Sequence, residues 1–381
     1  MIYLDNAATT KVSDEVLSAM LPYYTQQYGN ASSIYQLGYD SRRAIDRARE
    51  QIAAVINAKP EEIYFTSGGT EADNWAVRIG RGDILYSPIE HHAVIHSIES
   101  TVTSSYPIKV DGEGRINLKE LNNEVRLKPS LVSVMTANNE IGTIQPIKEI
   151  GENTRKNSVS FHTDAVQAFG QIPIDVKAMN IDMLSASGHK IHAPKGIGFL
   201  YIRDGIKTEP LIYGGGQERG MRSGTENVPA IVGLGVAAKH MAETMEERSK
   251  YLTSIRDYMI ERLITEIPDC KLNGSRKNRL PNNVNISFQY VEGESLVLAL
   301  ASKGICASAG SACTAGSLNP SHVLKAIGLS DEMAHGALRL TLSEYNTMKE
   351  AEYTVDTIKK LVESFRKMNP NWWRASYERS E

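Results

Sequence analysis

The sequence predicts an α/β fold, with a large domain on a mainly parallel sheet and a smaller C-terminal α/β domain behind it. Three observations carry that expectation. Short apolar or β-branched runs alternate with helix-period patterns along the first half of the chain. One long helical pattern then runs from Glu226 to about Ile267. Strand and helix patterns resume after it. A chain of 381 residues is also too long for one small core, which suits two or three folding units.

In order, the expected strands are Ile63–Thr66, Ile84–Ser87, Leu131–Thr136, Ser160–Asp164, Met183–Ala186 and Gly198–Ile202. Helical spacing is clear in Ala44–Ile56, where Ala44, Ile45, Ala48, Ile52, Val55 and Ile56 share one face. Strands separated by helices give parallel neighbours covered on both faces. Pro229 falls in the first turn of the long helical pattern, where proline is tolerated, and the length allows a bend or break. Beyond it, strand patterns at Val284–Phe288 and Ala337–Leu342 alternate with helices near Glu294–Ser302 and Lys349–Lys367. Residues 14–250 are therefore expected to form the large domain. Residues 1–13 and 251–381 are expected to form the small one.

Composition excludes several classes. Hydrophobic residues make up 41% and charged residues 23%, ordinary for a globular protein, and the net charge of −3 gives no basic excess for nucleic acid. The start, Met1-Ile2-Tyr3-Leu4-Asp5, lacks the charged and apolar regions of a signal peptide, and no apolar run is long enough for a bilayer. Three cysteines, Cys270, Cys306 and Cys313, suit neither a disulfide framework nor a zinc site. A reducing, cytoplasmic setting with no membrane, metal or nucleic-acid partner is the expectation.

Three segments carry chemistry. In Phe65-Thr66-Ser67-Gly68-Gly69-Thr70-Glu71 a strand ends, two glycines turn the chain and a helix begins. Free N–H groups at a helix start bind anions, and glycine lets a phosphate approach. Alone, the pair is equally an ordinary strand-to-helix turn. Asp164 ends an apolar strand, where it could hold a pyridinium nitrogen protonated or simply cap the next segment. Lys190 follows a strand in Ser187-Gly188-His189-Lys190, a place for a Schiff-base amine or for a plain surface charge. Together they supply a phosphate cradle, an acid for a ring nitrogen and an amine for an aldehyde, which are what a pyridoxal-phosphate (PLP) enzyme needs.

The order of Ser67-Gly-Gly-Thr-Glu71, Glu90-His91-His92, Asn138-Asn139-Glu140-Ile141-Gly142, Asp164-Ala-Val-Gln167 and Ser187-Gly-His-Lys190 resembles the class V aminotransferase group of fold-type I PLP-dependent transferases. Gly214–Thr225 and Gly310-Ser-Ala-Cys313-Thr-Ala-Gly-Ser317 narrow the resemblance to the NifS/IscS-type cysteine desulfurases with a long cysteine loop. It runs from Tyr3-Leu4-Asp5-Asn6-Ala7-Ala8-Thr9-Thr10 to Arg339. That resemblance implies conversion of L-cysteine to L-alanine with a persulfide formed on Cys313. The sulfur would then pass to an acceptor protein, such as an iron–sulfur scaffold or a tRNA-thiolation protein.

It also implies residue roles. Lys190 would hold the cofactor aldehyde and then shuttle protons. Asp164 would pair with the ring nitrogen, Gln167 and Asn139 would contact the ring hydroxyl side, and His91 would stack on the ring and aid acid–base steps. Gly69, Thr70, Ser187 and His189 would hold the phosphate. Thr225 would reach a phosphate in a neighbouring subunit, implying a homodimer. Arg339, with Asn139, would bind the substrate carboxylate. His92, His96 and His162 read as structural, Cys306 as a core strand residue, and Cys270 has no evident role. Where the family has histidine after Gly29-Asn30-Ala31-Ser32-Ser33, this chain has Tyr35. The adjacent Trp372 and Trp373 could pack on the protein or dock a partner. Competing activities are a transaminase, which would not need Cys313, a selenocysteine lyase, which could share every residue, and a non-catalytic sulfur relay, against which the Lys190, Asp164 and Cys313 set argues.

The Cys313 loop, Ala307–Ser317, is small, polar and glycine-containing, so it is expected to be exposed and mobile. A thiol there is accessible, unlike most free cysteines.

Overall fold

The computed structural model describes residues 1–100, 104–309 and 320–373, so Cys313 and most of its loop lie outside the described residues. Among the described residues the strands, numbered β1 to β12 along the chain, form three sheets. The largest is built from β2 (Ile63–Thr66), β3 (Ile84–Tyr86), β4 (Ser105–Pro107), β5 (Leu131–Ser133), β6 (Ser160–Asp164), β7 (Met183–Ser187) and β8 (Gly198–Ile202). Its spatial order is β2-β8-β7-β6-β5-β3-β4. β8 runs antiparallel to both its neighbours, and every other pairing is parallel.

Side-chain alternation splits these strands between two cores. Ile63, Phe65, Leu184, Ala186, Phe199 and Tyr201 face one core, while Met183, Leu200 and Ile202 face the other. Both faces are covered, which is why every residue of β7 and β8 is buried. The first core is roofed by helices Gln36–Val55 and Val228–Glu243. Their backbones come close at Gly235, where a Cβ would stand 2.7 Å from Ala48. The second core lies under helices Gly69–Ile79 and His92–Glu99, with Trp75 fully buried in it.

The short strands Ile2–Tyr3, β4 and Cys270–Leu272 were not expected from the sequence, and of the boundaries that differ from its pattern two have clear reasons. The run Leu131–Thr136 leaves regular pairing after Ser133, yet Val134 still donates to the His162 carbonyl at 3.1 Å and Thr136 to that of Asp164 at 2.8 Å. The long helical pattern is two helices, Val228–Glu243 and Met245–Glu266, meeting at Thr244. Asn227 caps the first by accepting from the Ala230 N–H at 3.3 Å, with Pro229 in its first turn.

The C-terminal part carries an antiparallel sheet of β9 (Cys270–Leu272), β10 (Asn283–Phe288) and β12 (Ala337–Thr341), in order β12-β10-β9. Helices Met245–Glu266 and Met348–Met368 supply Leu252, Ile255, Met259, Val355 and Ile358 to its core. The chain start joins this region. β1 (Ile2–Tyr3) runs parallel to β11 (Ile305–Cys306), and Leu4 is buried in the same core.

Candidate active site

The C-terminal tips of β6 and β7, the start of helix Gly69–Ile79, the middle of β12 and the N-terminal segment meet around a cavity of about 220 Å³. Crevices at strand ends of open α/β sheets are where ligands bind. Of the residues singled out in the sequence, Gly69, Thr70, His91, Asn139, Asp164, Gln167, Ser187, His189, Lys190 and Arg339 line it. Thr225 does not; it lies in a separate cleft with Ser67, Arg222 and Glu226.

Lys190 sits in a short 3-10 turn, Gly188–Lys190, directly after β7. Its Nζ donates to the carbonyls of Ala7 at 2.6 Å and Ala8 at 2.8 Å. Gln167 Nε2 shares the Ala7 carbonyl at 3.1 Å. These backbone acceptors carry no side-chain signature, which is why sequence reasoning missed them.

Asp164 ends β6 and is buried, with its Oδ1 accepting from the Val166 N–H at 2.8 Å. Burial pushes its carboxyl up to about 6, against the pull of that hydrogen bond and the Lys190 charge. Asp73, also unforeseen, lines the same cavity one helical turn after Gly69 and Thr70. Burial first, and then the neighbouring Asp164, hold the Asp73 carboxyl well above the usual range. Glu90 is likewise raised by burial and Asp164, with Oε1 accepting from the Met135 N–H at 2.6 Å. His162 lies behind them, fully buried. Its ring nitrogens pair with the hydroxyls of Ser133 and Ser185, each at 2.9 Å, and Asp73 Oδ1 stands 3.7 Å from Nε2. Burial takes its pKa down to about 3, so it is neutral.

His91 caps helix His92–Glu99, its Nδ1 accepting from the Ala93 N–H at 3.1 Å. Burial, then the Lys190 charge, lowers its pKa to about 4. A neutral ring that accepts at Nδ1 carries its proton on Nε2. His189 is also lowered to about 4, by burial and Lys190, and its Nδ1 lies 3.2 Å from the Thr9 hydroxyl. His92 and His96 stack with centroids 5.0 Å apart, away from the cavity lining.

The donor set fits PLP. A Cβ at Gly69 would stand 2.7 Å from Val166 Cγ2, so only glycine leaves that helix start open. The first-turn N–H groups of Gly69 and Thr70 lack intrahelical acceptors, as helix starts do, and suit a phosphate. Ser187 and His189 stand beside them, a buried acid suits a ring nitrogen, and Lys190 offers the amine.

Across the cavity, Arg339 of β12 is almost fully buried. Its Nη1 donates to the Asn139 carbonyl at 3.1 Å, and its Nη2 meets Asp5 Oδ1 at 3.0 Å. Of the other cysteines, Cys306 is partly buried in β11. Cys270 is bonded to the Ile267 carbonyl at 3.0 Å, with its thiol pushed up by burial.

Known proteins agree with this architecture. The aminotransferase class-V family matches residues 2–354. The chain belongs to that family. Among its relatives, the "Cysteine desulfurase IscS" of Methanosarcina thermophila is 51% identical, covering 97% of this chain and 94% of that protein. A solved "NIFS-LIKE PROTEIN" superposes with TM-score 0.89 at 36% identity, over 95% of this chain and 99% of its own. The structure titled "SspA in complex with cysteine" has TM-score 0.80 and 37% identity, over 91% of this chain and 100% of its own. Membership in the class-V family accounts for the mainly parallel sheet and for the fold-type I architecture. Among the described residues no helix is long and apolar enough to cross a membrane.

Proposed function

We propose that this chain is a PLP-dependent cysteine desulfurase, converting L-cysteine to L-alanine and retaining the sulfur as a persulfide on Cys313. The observation that carries the proposal is one cavity holding Lys190, Asp164, His91 and Arg339, in a chain 51% identical to a cysteine desulfurase.

Gly69, Thr70, Ser187 and His189 would hold the cofactor phosphate, Asp164 its ring nitrogen, Gln167 and Asn139 its hydroxyl side, and Lys190 its aldehyde. The chemistry supplied by the bound cofactor is an electron sink at the substrate α-carbon. Around it, the Arg339 guanidinium binds and orients the substrate carboxylate, assisted by Asn139. Lys190 Nζ takes the α-proton and returns a proton later. Asp164 keeps a proton on the facing nitrogen. His91 would pack against the ring, with its Nε2–H available as a donor. The Cys313 thiolate attacks the substrate sulfur: an S–S bond forms, the C–S bond breaks, and its electron pair returns to what becomes the alanine methyl group. A thiol of ordinary pKa, about 8.5, is mostly protonated at neutral pH, so local lowering of the Cys313 pKa belongs to the reading.

The wider reading follows the same line. Residues 14–250 form the cofactor-binding domain, and residues 1–13 with 251–381 form the small domain. The enzyme is a cytoplasmic homodimer in which Thr225 reaches the partner's phosphate. The Cys313 loop hands sulfur to an acceptor protein, an iron–sulfur scaffold or a tRNA-thiolation protein. The test is product analysis with L-cysteine under a thiol reductant. Equimolar alanine and sulfide support the desulfurase. Amino transfer to a keto acid without sulfide replaces it with a transaminase.

A further inference from the structure

Arg339, which on the reading above takes the substrate carboxylate, is itself held by a partner that the proposed chemistry does not use. Its side chain is only 1% exposed, and a buried cation needs compensation inside the protein. Nη2 meets Asp5 Oδ1 at 3.0 Å, and Nη1 donates to the Asn139 carbonyl at 3.1 Å. Nε is buried with no hydrogen-bond partner. A guanidinium is a rigid planar fork, so fixing both terminal nitrogens fixes the orientation of the whole group.

Asp5 is firmly placed. Thr341, two residues along β12 from Arg339, donates its N–H to the Leu4 carbonyl at 2.7 Å. The Thr341 hydroxyl accepts from the Ala7 N–H at 2.8 Å, and its carbonyl accepts from Asn6 Nδ2 at 2.8 Å. Carboxylate and guanidinium therefore sit on hydrogen-bonded neighbouring segments. The same N-terminal stretch continues to Ala7 and Ala8, whose carbonyls hold Lys190 Nζ. One short segment thus fixes both cavity cations relative to each other.

We propose that Asp5 is a positioning residue that locks the Arg339 guanidinium in the cavity lining for the substrate carboxylate, so that the site selects α-carboxylate amines over amines lacking that group. This deepens, and rests on, the assignment of Arg339 to carboxylate binding. The rigid anchoring favours this role over that of a resident anion that leaves when substrate arrives.

The experiment uses PLP-loaded wild type, Asp5→Ala and Asp5→Asn. Binding of L-cysteine and of cysteamine, which lacks the carboxylate, is read from cofactor absorbance, and KM and kcat from alanine formation. In Asp5→Ala, cysteine KM and Kd should rise roughly ten-fold while cysteamine Kd stays within about two-fold, because only a charge-assisted contact is disturbed. Asp5→Asn keeps an acceptor at Oδ1 and should lose about three-fold in cysteine affinity alone. That variant carries the test if the alanine substitution fails to fold. Equal weakening of both amines would reduce Asp5 to a structural role, and tighter cysteine binding would make it a competing anion; either overturns the proposal. If wild type yields no alanine, the desulfurase reading fails, while the cysteine-to-cysteamine selectivity still reports on Asp5.

Discussion

The two ends of the Lys190 cavity treat buried charge in opposite ways. At the β6 end, Asp164, Asp73 and Glu90 crowd together, and the buried Asp73 Oδ1 and Glu90 Oε2 have no hydrogen-bond partner. At the β12 end, a buried cation stands against a carboxylate, with its Nε–H left without a partner. Burial alone raises a carboxyl, and each neighbouring carboxylate raises it further. The acid end therefore keeps protons or recruits a cation, and a protonated ring nitrogen is such a cation. The Arg339 end offers a cation to an anion. A zwitterionic substrate joined to a heteroaromatic cofactor satisfies both.

The largest expected effect lies between the two ends. Lys190→Ala should lower alanine formation by at least about a thousand-fold, measured by chromatography, because it removes both the amine and the proton carrier. Some PLP should remain bound through its phosphate contacts. A rate near wild type would dissolve the comparison, since the cavity would then have no chemical centre.

Asp164→Asn sharpens the account of the acid end. It should slow turnover on the order of a hundred-fold, as loss of one preorganised electrostatic contact does, and shift the cofactor absorbance. Unchanged turnover and spectrum would leave Asp164 a simple cap for the Val166 N–H.

A smaller effect concerns stability in cofactor-free protein. Asp164 is raised to about 6, so its contribution is fully present below the unfolded value near 4 and is lost as pH rises through 6. His91 and His189, lowered to about 4, act oppositely: their contribution is present above about 6.5 and lost as pH falls through 4. The two sets oppose each other between pH 4 and 6.5. In urea unfolding, Asp164→Asn should make stability rise more steeply with pH across that window than wild type. An identical slope would mean that Asp164 does not hold its proton there.

Much of this site was legible because its chemistry sits where backbone signals are strong. Asp164 ends one strand, Lys190 follows another, and Gly69-Thr70 follows Ile63–Thr66; each was ambiguous alone, and the three together with the motif order pointed to the crevice. Six strands of the large sheet were legible because they are largely buried, whereas the edge strand β4, Ser105–Pro107, is short and mostly exposed and gave no apolar run. Asp73 was missed although its spacing from Gly69 and Thr70 puts it on the same helix face, since a mid-helix Asp reads as a surface charge. Asp5 was quoted only as part of a motif, because its role depends on a contact with Arg339 across most of the chain. Ala7 and Ala8 act through carbonyls, which no side-chain pattern reports. Thr225 lies in another cleft of this chain, so its proposed role depends on a second subunit.

The most direct test of the desulfurase account follows the sulfur atom. PLP-loaded protein is treated with L-cysteine without reductant, digested and examined by mass spectrometry, alongside Cys313→Ser and Cys306→Ser. The account predicts one extra sulfur on the peptide containing Cys313, with about one alanine released per site. Cys306→Ser should behave like wild type, and Cys313→Ser should bind PLP yet yield almost no sulfide. Extra sulfur found only on the Cys306 or Cys270 peptides, or alanine formed at the wild-type rate by Cys313→Ser, would contradict it.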